Sequence, residues 1–149
     1  MNLSLTLQTM AKVHADRPAI SWEGGQLSYG AFEAQVQAIA GALLARHRLK
    51  PGDRVALAME NSPEYFPLLY GIWRAGLSAV PMNNKLHARE MAWILADSDS
   101  RLCIASRKLA DGLSAPDLKG LPPIVVTGTA DTRALLAGDP IPGAPSDPQ

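Results

Sequence analysis

The sequence has little of what marks the commonest metal and nucleophile sites. Its single cysteine, Cys103, excludes a disulfide framework and a cysteine-based metal site, and a lone thiol fits a reducing compartment. The three histidines, His14, His47 and His87, are far apart, and none has a second histidine at helical spacing that would form a metal-binding face. We therefore predict a cytoplasmic protein without a metal site.

Net charge and long apolar runs are also missing. Fourteen Lys and Arg residues balance 14 Asp and Glu residues. A neutral chain lacks the electrostatic footprint of a nucleic-acid-binding protein, so we predict no nucleic-acid partner. No apolar run approaches the roughly 18 residues that suggest a membrane span. The N-terminus lacks the basic start of a signal peptide, and we predict neither a span nor a signal.

What the sequence does contain is a strand–helix–strand pattern from Gly52 to Asn83. The apolar run Arg54–Met59 is long enough for a buried strand, and Leu77–Val80 is a second apolar run. Because a helix connects them, the two strands should be parallel and the crossover right-handed. A similar alternation follows downstream. The sequence therefore predicts an α/β fold of βαβ units with a mainly parallel, doubly wound sheet.

The helix of this unit is predicted from its ends and from its apolar spacing. Asn61-Ser62-Pro63 combines a polar cap with proline, which favours a helix start. Gly76 favours a helix end, because glycine adopts the left-handed conformation without strain. Between them, four residues recur at i, i+3, i+4 and i+7, and we expect them to form the buried face. These residues are Phe66, Leu69, Tyr70 and Trp73.

Upstream of this unit the sequence predicts a short helix, a β-hairpin and a long helix. Glycines between two β-prone runs indicate the hairpin, and Ser28 stands where it would cap the long helix. The interior Gly41 of the long helix suggests close packing rather than binding. The predicted bounds are about Leu5–Ala15 for the short helix, Ala19–Trp22 and Gln26–Tyr29 for the hairpin strands, and Tyr29 to about His47 for the long helix.

Downstream of this unit, helix and strand signals alternate again. The predicted elements are a helix at His87–Ala96 with Leu86, Trp93 and Ile94 on its apolar face, a strand at Arg101–Ala105, a loosely helical stretch around Leu109–Leu118, a strand at Ile124–Thr127 and a short helix at Thr129–Leu136. The last 12 residues contain four prolines and no apolar periodicity. We therefore predict an α/β subdomain over residues 1–137 and a proline-rich linker over residues 138–149.

No segment matches a common catalytic or phosphate-binding motif. G-x-x-x-x-G-K-[ST], G-x-G-x-x-G and G-x-S-x-G are all absent. The segment Val126–Thr129 lies between a strand and a helix, as a phosphate loop would, but its one glycine favours a plain turn with a cap from Thr129 or Asp131. Cys103 falls within a strand, which favours an inert buried thiol. The residues alone therefore predict no catalytic residue.

The segment Asn83-Asn84-Lys85 is the remaining binding candidate. It follows a predicted parallel strand, at the edge where open α/β sheets tend to bind ligands. Asparagine also favours turns through its own backbone hydrogen bonds. A turn that ends the strand is therefore the stronger of the two interpretations.

Five segments resemble, in the same order, motifs of the AMP-forming acyl-CoA synthetases and their adenylating relatives. They are Leu27–Phe32 for L-[TS]-Y-x-E-[LF], Gly52–Leu57 for G-D-[RV]-V-A-[LI], Asn61–Tyr65 for N-S-x-E-[FY], Trp73–Asn83 for [LW]-[KR]-A-G-A-x-x-V-P-[LI]-[ND], and Arg89–Leu95 for R-E-L-x-[YW]-I-L. The resemblance covers about residues 5–127 and implies the N-terminal part of that fold. Ala31 departs from it, because the family often has glutamate there.

The resemblance implies a chemistry that these residues do not complete. In the family a carboxylate attacks the α-phosphate of Mg·ATP, and the thiol of coenzyme A then displaces AMP. The family's phosphate loop, Y-[TS]-S-G-[TS]-T-G-x-P-K-G, is absent from residues 1–149, as are its later nucleotide-binding motifs and its catalytic lysine. We therefore carry over no catalytic residue and expect the chain alone to be inactive and to bind neither ATP, Mg nor CoA tightly.

The resemblance also indicates partners and alternatives. It suggests that Asn83, Asn84 and Lys85 lie beside the entrance for coenzyme A, and that the partner is the remainder of the ligase, in cis or as a separate chain. Two alternatives are a non-catalytic α/β module that pairs with another chain, and a truncated peptide-synthetase-type adenylation domain. Because part of the fold would be uncovered, we also expect the isolated chain to dimerise or aggregate through an exposed edge or face.

Overall fold

The computed structural model describes residues 2–141, which form six helices and six strands. The helices are α1 (Ser4–His14), α2 (Tyr29–Ala45), α3 (Tyr65–Arg74), α4 (Ala88–Asp97), α5 (Arg107–Leu113) and α6 (Ala130–Leu136). The strands are β1 (Pro18–Trp22), β2 (Gly25–Ser28), β3 (Arg54–Ala58), β4 (Ser78–Pro81), β5 (Ser100–Ala105) and β6 (Ile124–Val126). Every predicted element is present, with ends that differ by one to two residues for most of them.

The strands form two separate sheets. β1 and β2 pair as the predicted antiparallel hairpin. The other four strands are parallel in the order β4-β3-β5-β6. The chain therefore passes from β3 to β4 on one side and then crosses to β5 on the other, which is the order of a doubly wound sheet. The predicted fold class is confirmed.

β3 is buried on both faces, as expected for a central strand of a parallel sheet. Val55 and Leu57 point into one core cluster, which α2, α3 and α6 cover. Ala56 and Ala58 point to the opposite face, into a second cluster beneath α4 and α5. This alternation follows from the two-residue period of a strand, and it explains why the apolar run in β3 is continuous.

The long helix α2 is capped as predicted and is packed tightly at its glycine. The hydroxyl of Ser28 accepts a hydrogen bond from the Ala31 N–H at 3.2 Å. A Cβ added at Gly41 would clash with the backbone carbonyl of Asp139. The first residues of the predicted linker therefore run against α2, and Ile141 packs on the main core. Residues 142–149 of that linker lie outside the described residues.

The end of α3 is also as predicted. Gly76 has φ +73°. The Leu77 N–H donates to the Ile72 carbonyl and the Gly76 N–H donates to the Trp73 carbonyl, both at 3.0 Å. This pair of bonds is the Schellman motif, in which a left-handed glycine lets the last carbonyls of the helix find donors.

The predicted start of α3 is wrong. The helix begins at Tyr65, after a turn in which the Tyr65 N–H donates to the Ser62 carbonyl at 3.1 Å. The Ser62 hydroxyl is buried and caps nothing, because it has no hydrogen-bond partner in the described chain. Pro63 lies in this turn rather than at the first helical position.

The predicted buried face of α3 is only partly correct, because Leu69 and Tyr70 are half-buried against core clusters but Phe66 is not. Phe66 is 50 % exposed, whereas Leu68 and Ile72 are buried. The cause is the contact with α2, where a Cβ on Gly71 would meet the Ile39 side chain at 2.5 Å. Because a glycine permits this close approach, the helix turns Gly71 toward α2. The predicted aromatic residues then lie along the rim, where the Tyr70 ring contacts Phe32 and Trp73.

The predicted apolar face of α4 is correct for Leu86 and Ile94, which pack half-buried against the second cluster, and wrong for Trp93. Trp93 is 67 % exposed, and the residues that α4 buries are Met91 and Leu95. The helix begins at Ala88 beneath a hydrogen bond from the His87 N–H to the Glu90 carboxylate at 2.8 Å. Because Met91 and Leu95 face the second cluster, Trp93 lies on the side of the helix that is turned away from the sheet.

Candidate functional site

A cavity of about 590 Å³ lies at the carboxyl edge of the parallel sheet. Its walls come from the segments after β3 and β4 and from helices α4 and α5. The chain leaves β3 for β4 on one side and reaches β5 on the other, so this edge includes the point where the strand order reverses. Open α/β sheets bind ligands in such crevices. The polar lining residues are Glu60, Asn84, Lys85, His87 and Lys108.

The structure divides the segment Asn83-Asn84-Lys85 between two roles. The Asn83 side-chain oxygen accepts from the Lys85 N–H at 3.0 Å, and the Leu86 N–H donates to the Asn83 carbonyl at 3.2 Å. Asn83 therefore closes a turn, as asparagine often does. Asn84 and Lys85 line the cavity. The predicted turn is therefore present at Asn83, and the binding role stays a prediction for Asn84 and Lys85.

Lys108 is a cavity residue that the sequence pattern did not indicate. It lies in α5, which reaches the cavity from the strand on the other side of β3. Lys85 and Lys108 both line this cavity, and Glu60 is the one acidic residue in the lining. Leu86, Met91 and Leu109 supply apolar wall. Such a lining suits a ligand that carries an anionic group on a partly apolar body.

The phosphate-loop candidate Val126–Thr129 is a plain turn. Gly128 has φ +74°. The hydroxyls of Thr129 and Thr132 donate to the Val126 carbonyl at 2.6 and 2.9 Å, and the Thr129 hydroxyl accepts from the Asp131 N–H at 3.3 Å. The side chains of this loop are thus engaged with their own backbone. Of the two predicted caps, Thr129 is the one that the structure shows.

Cys103 is inert, as predicted. It is fully buried in β5. Burial raises the pKa of its thiol to about 12, because the apolar surroundings disfavour the thiolate. A thiol that stays protonated at neutral pH is neither a nucleophile nor a metal ligand.

Two buried hydroxyls near the carboxyl edge of the sheet have no hydrogen-bond partner within residues 2–141. They belong to Ser62, which follows β3, and to Ser106, which follows β5. Most buried hydroxyls in folded proteins are hydrogen-bonded.

The sequence patterns missed a buried ion pair away from the sheet edge. Arg74 of α3 is fully buried and binds both carboxylate oxygens of Glu33 at 2.7 and 2.8 Å. Its remaining donors reach Ser4, and Gln37 donates to Glu33 at 2.8 Å. Arg74 lies within a motif that the sequence analysis identified. Nothing in the local pattern, however, pairs it with a carboxylate 41 residues away.

Other site classes are missing from the described part of the chain. No group of three or more His, Cys, Asp and Glu side chains there is placed to hold a metal ion. Among the same residues, no helix has the length and apolarity to cross a bilayer.

Comparison of the sequence identifies relatives along most of the chain. A family model described as AMP-binding enzyme matches residues 7–148. The 3-hydroxybenzoate–CoA ligase of Aromatoleum sp. is 31 % identical over 138 residues, which is 91 % of this chain and 26 % of that protein. The long-chain-fatty-acid–CoA ligase FadD13 of Mycobacterium tuberculosis is 38 % identical over 102 residues, which is 68 % of this chain and 20 % of that protein.

Two solved structures resemble this chain along almost its whole length. A benzoate CoA ligase from Burkholderia xenovorans superposes with a TM-score of 0.86 at 22 % identity, covering 99 % of this chain and 31 % of the other, a likeness that shows the fold. The N-terminal domain of FACL13 from Mycobacterium tuberculosis superposes with a TM-score of 0.81 at 28 % identity, covering 98 % and 38 %. This chain therefore spans well under half the length of the proteins that it matches.

Proposed function

The chain belongs to the AMP-binding enzyme family as an N-terminal part of an AMP-forming acyl-CoA synthetase, and we propose that the whole enzyme joins a carboxylic acid to coenzyme A. In the proposed reaction the carboxylate attacks the α-phosphate of ATP, which releases pyrophosphate and forms an acyl-adenylate. The thiol of coenzyme A then attacks the acyl carbon and displaces AMP. The identity with ligases for aromatic and for fatty acids supports the reaction class and leaves the acid open.

In this proposal residues 1–149 are the scaffold, and the chemistry lies elsewhere in the enzyme. Phosphoryl and adenylyl transfer need a phosphate cradle, positive charge and a metal ion. The printed sequence has no phosphate loop, and residues 2–141 have no metal-binding cluster. The residues present do not fit Mg·ATP. The isolated chain should therefore neither form acyl-adenylates nor bind ATP tightly.

The cavity at the sheet edge fits coenzyme A better. The phosphates of coenzyme A are anionic, and Lys85 and Lys108 in the cavity lining offer ammonium groups that can bind them. The Asn84 amide adds a donor, and the apolar wall suits the uncharged part of the ligand. We assign this cavity to the coenzyme A side of the enzyme, with Asn84, Lys85 and Lys108 as binding residues. The observation that carries the assignment is the convergence of two lysines from opposite sides of β3 on one cavity.

An experiment on the whole enzyme tests this assignment. Lys85→Ala and Lys108→Ala should each raise the KM for coenzyme A about tenfold, the loss expected for one charge-assisted hydrogen bond, and should leave acid-dependent pyrophosphate exchange unchanged. Glu60→Gln should lower that KM, because it removes a carboxylate that repels phosphate. Lys119→Ala is the matched control, since that exposed lysine is not part of the cavity lining. An unchanged KM in both lysine variants would contradict the assignment.

A second acceptor deserves a direct comparison. A fatty acid–[acyl-carrier-protein] ligase of Streptomyces coeruleorubidus is 39 % identical over 101 residues, so a carrier-protein thiol is an alternative to coenzyme A. The free coenzyme brings its nucleotide phosphates to the cavity. If the acceptor is a carrier protein, the Lys85 and Lys108 variants should raise the KM for that protein, and replacing its acidic surface residues should have the same effect. The KM for coenzyme A should then not change.

The remainder of the enzyme is the partner that this proposal requires. The chain spans only 20–26 % of the two curated relatives described above. The remainder can be joined in cis or supplied as a second chain, and a natural module that pairs with a separate protein is the alternative. Without it, we expect the isolated chain to associate through an exposed edge or face. The lone buried Cys103 is consistent with a cytoplasmic enzyme.

A further inference from the structure

The N-terminal helix α1 is fastened at its first residue by a buried polar cluster. The Arg74 Nε–H donates to the Ser4 hydroxyl at 3.0 Å, and a second Arg74 N–H donates to the Ser4 carbonyl at 2.9 Å. Ser4 is completely buried. Asn2 extends the cluster, because its side chain accepts from the Ser4 N–H and donates to the Trp73 carbonyl at 2.7 Å. We call these contacts the clasp.

The other end of α1 is held by the backbone. The Gly30 N–H donates to the Ala15 carbonyl and the Tyr29 N–H donates to the Arg17 carbonyl, both at 2.9 Å. The turn at residues 15–17 then continues directly into β1. This end cannot leave without disrupting the hairpin and the start of α2. The turn is therefore the fixed end, and the clasp is the end that can open.

Little apolar contact holds α1 between these two ends. Leu7 is the only hydrophobic residue of α1 that is fully buried, whereas Leu5 and Val13 are 42 % and 68 % exposed. The helix packs on α2 and α3 and not on the main sheet. Local opening is easiest where few buried apolar contacts resist it.

Docking of α1 on the clasp has favourable and unfavourable contributions to its free energy, and their near balance favours local opening. The bond between Arg74 and Glu33 joins α3 to α2 and does not involve α1. Covering this ion pair with α1 removes water from two charges, a cost that opposes docking. The two hydrogen bonds to Ser4 and the burial of Leu7 favour docking. When α1 leaves, the charges stay paired and regain water, so opening leaves no unpaired buried charge.

α1 also forms one wall of an apolar groove of about 490 Å³. Thr6, Leu7 and Met10 line it from α1, and Phe32 and Tyr70 line it from the opposite side. Movement of the clasp end would widen this groove and uncover the aromatic wall.

We propose that α1 is a strap that opens at its Ser4 end, about the turn at residues 15–17, without global unfolding, and so uncovers the groove wall formed by Phe32 and Tyr70. The ion pair of Arg74 and Glu33 is the anchor to which the strap returns. This inference concerns the described chain alone and does not depend on the proposed enzymatic activity.

Hydrogen exchange on the intact chain tests the strap. Amides of residues 6–12 should exchange at least tenfold faster than amides in the middle of α2, because a local opening precedes global unfolding. The Ser4 hydroxyl accepts from Arg74 and donates to Asn2, and only the bond from Arg74 joins α1 to α3. Ser4→Ala should therefore accelerate exchange in residues 6–12 by about tenfold, the effect of one buried hydrogen bond lost between these helices. Exchange in α2 and β3 should rise by no more than the same factor, because the bond to Ser4 is also lost on global unfolding, and exchange in residues 6–12 should depend far less on urea concentration than exchange in α2. Thr9→Ala is the matched control, because the Thr9 hydroxyl bonds only within the exposed face of α1.

A second measurement reports the uncovered wall. Binding of the uncharged fluorescent probe N-phenyl-1-naphthylamine should strengthen in Ser4→Ala and not in Thr9→Ala, and Phe32→Leu should weaken the probe signal in the Ser4→Ala background. The proposal is overturned if α1 and α2 exchange at one common rate, or if exchange in residues 6–12 depends on urea concentration as steeply as exchange in α2. It is also overturned if Thr9→Ala reproduces the effect of Ser4→Ala, or if probe binding does not follow α1 exchange.

Discussion

Arg74 and Glu33 form a bidentate ion pair that is closed off from solvent between α3 and α2. The two bonds measure 2.7 and 2.8 Å, and the guanidinium is fully buried. The pair sits at the contact of three helices, since Ser4 of α1 accepts the remaining donors. The ion pair joins α2 to α3, two of the helices that cover one face of the sheet.

The first prediction concerns this pair. Arg74→Met should lower the free energy of unfolding by about 3–5 kcal/mol, because it leaves the Glu33 carboxylate buried without its counter-charge. The double variant Arg74→Met, Glu33→Leu should be clearly more stable than the single variant, because it removes both charges. Urea denaturation of both variants measures this. A double variant no better than the single one would show that packing, and not charge, dominates the site.

The second prediction concerns the end of α3. Gly76→Ala should destabilise the chain by about 1–2 kcal/mol, because alanine must adopt positive φ there. Gly112→Ala is the matched control, since a Cβ there meets only the Ala88 methyl at 3.6 Å and its φ is not in the left-handed region. The control should be neutral or stabilising by up to about 1 kcal/mol. Equal losses in both variants would remove the Schellman assignment.

The third prediction concerns the contact between α2 and the start of the predicted linker. Gly41→Ala places a methyl group where the Asp139 carbonyl lies, and overpacking of this kind costs about 1–3 kcal/mol. In a chain that ends at residue 137 the obstacle is gone, so the same substitution should be neutral or stabilising, as alanine favours helix. The four proteins are the full chain and the chain that ends at residue 137, each with and without Gly41→Ala. Their thermal unfolding measures the coupling between the substitution and the truncation. No coupling would mean that residues 138–141 do not pack on α2 in solution.

The fourth prediction is a pH dependence that comes from Cys103. The pKa of its thiol is raised from 9.0 to about 12 by burial, so the folded protein holds this proton at pH values where the unfolded chain has lost it. The stabilisation is complete below about pH 9 and decreases as pH rises toward 12. Cys103→Ala should flatten that part of the stability curve. A native thiol that reacts with Ellman's reagent at pH 8 as fast as the denatured chain would contradict the burial.

The sequence was sufficient for the elements whose cause is local. The run in β3, the cap at Ser28 and the stop at Gly76 each depend on a few neighbouring residues, and all three are present. The family resemblance read from five motifs is likewise confirmed. The five motifs identified the family, whereas composition and periodicity predicted only the fold class.

The features that the sequence did not predict depend on contacts between distant segments. α3 is apolar on most of its surface, and the close approach of Gly71 to Ile39 decides which side is buried. Lys108 reaches the cavity beside Lys85 only because β5 lies on the other side of β3. The partner of Arg74 is 41 residues away. A single sequence carries no signal for such pairs.

The most direct test of the central claim is acid-dependent pyrophosphate–ATP exchange, measured with a panel of aromatic and fatty acids. We compare the isolated chain with the same chain extended by its in-frame downstream coding sequence, or mixed with the product of a separate downstream gene. The account predicts no exchange from the pure isolated chain and acid-dependent exchange once the remainder is supplied. Acid-dependent exchange from the isolated chain, or none from a folded, completed protein with any acid of the panel, would contradict it.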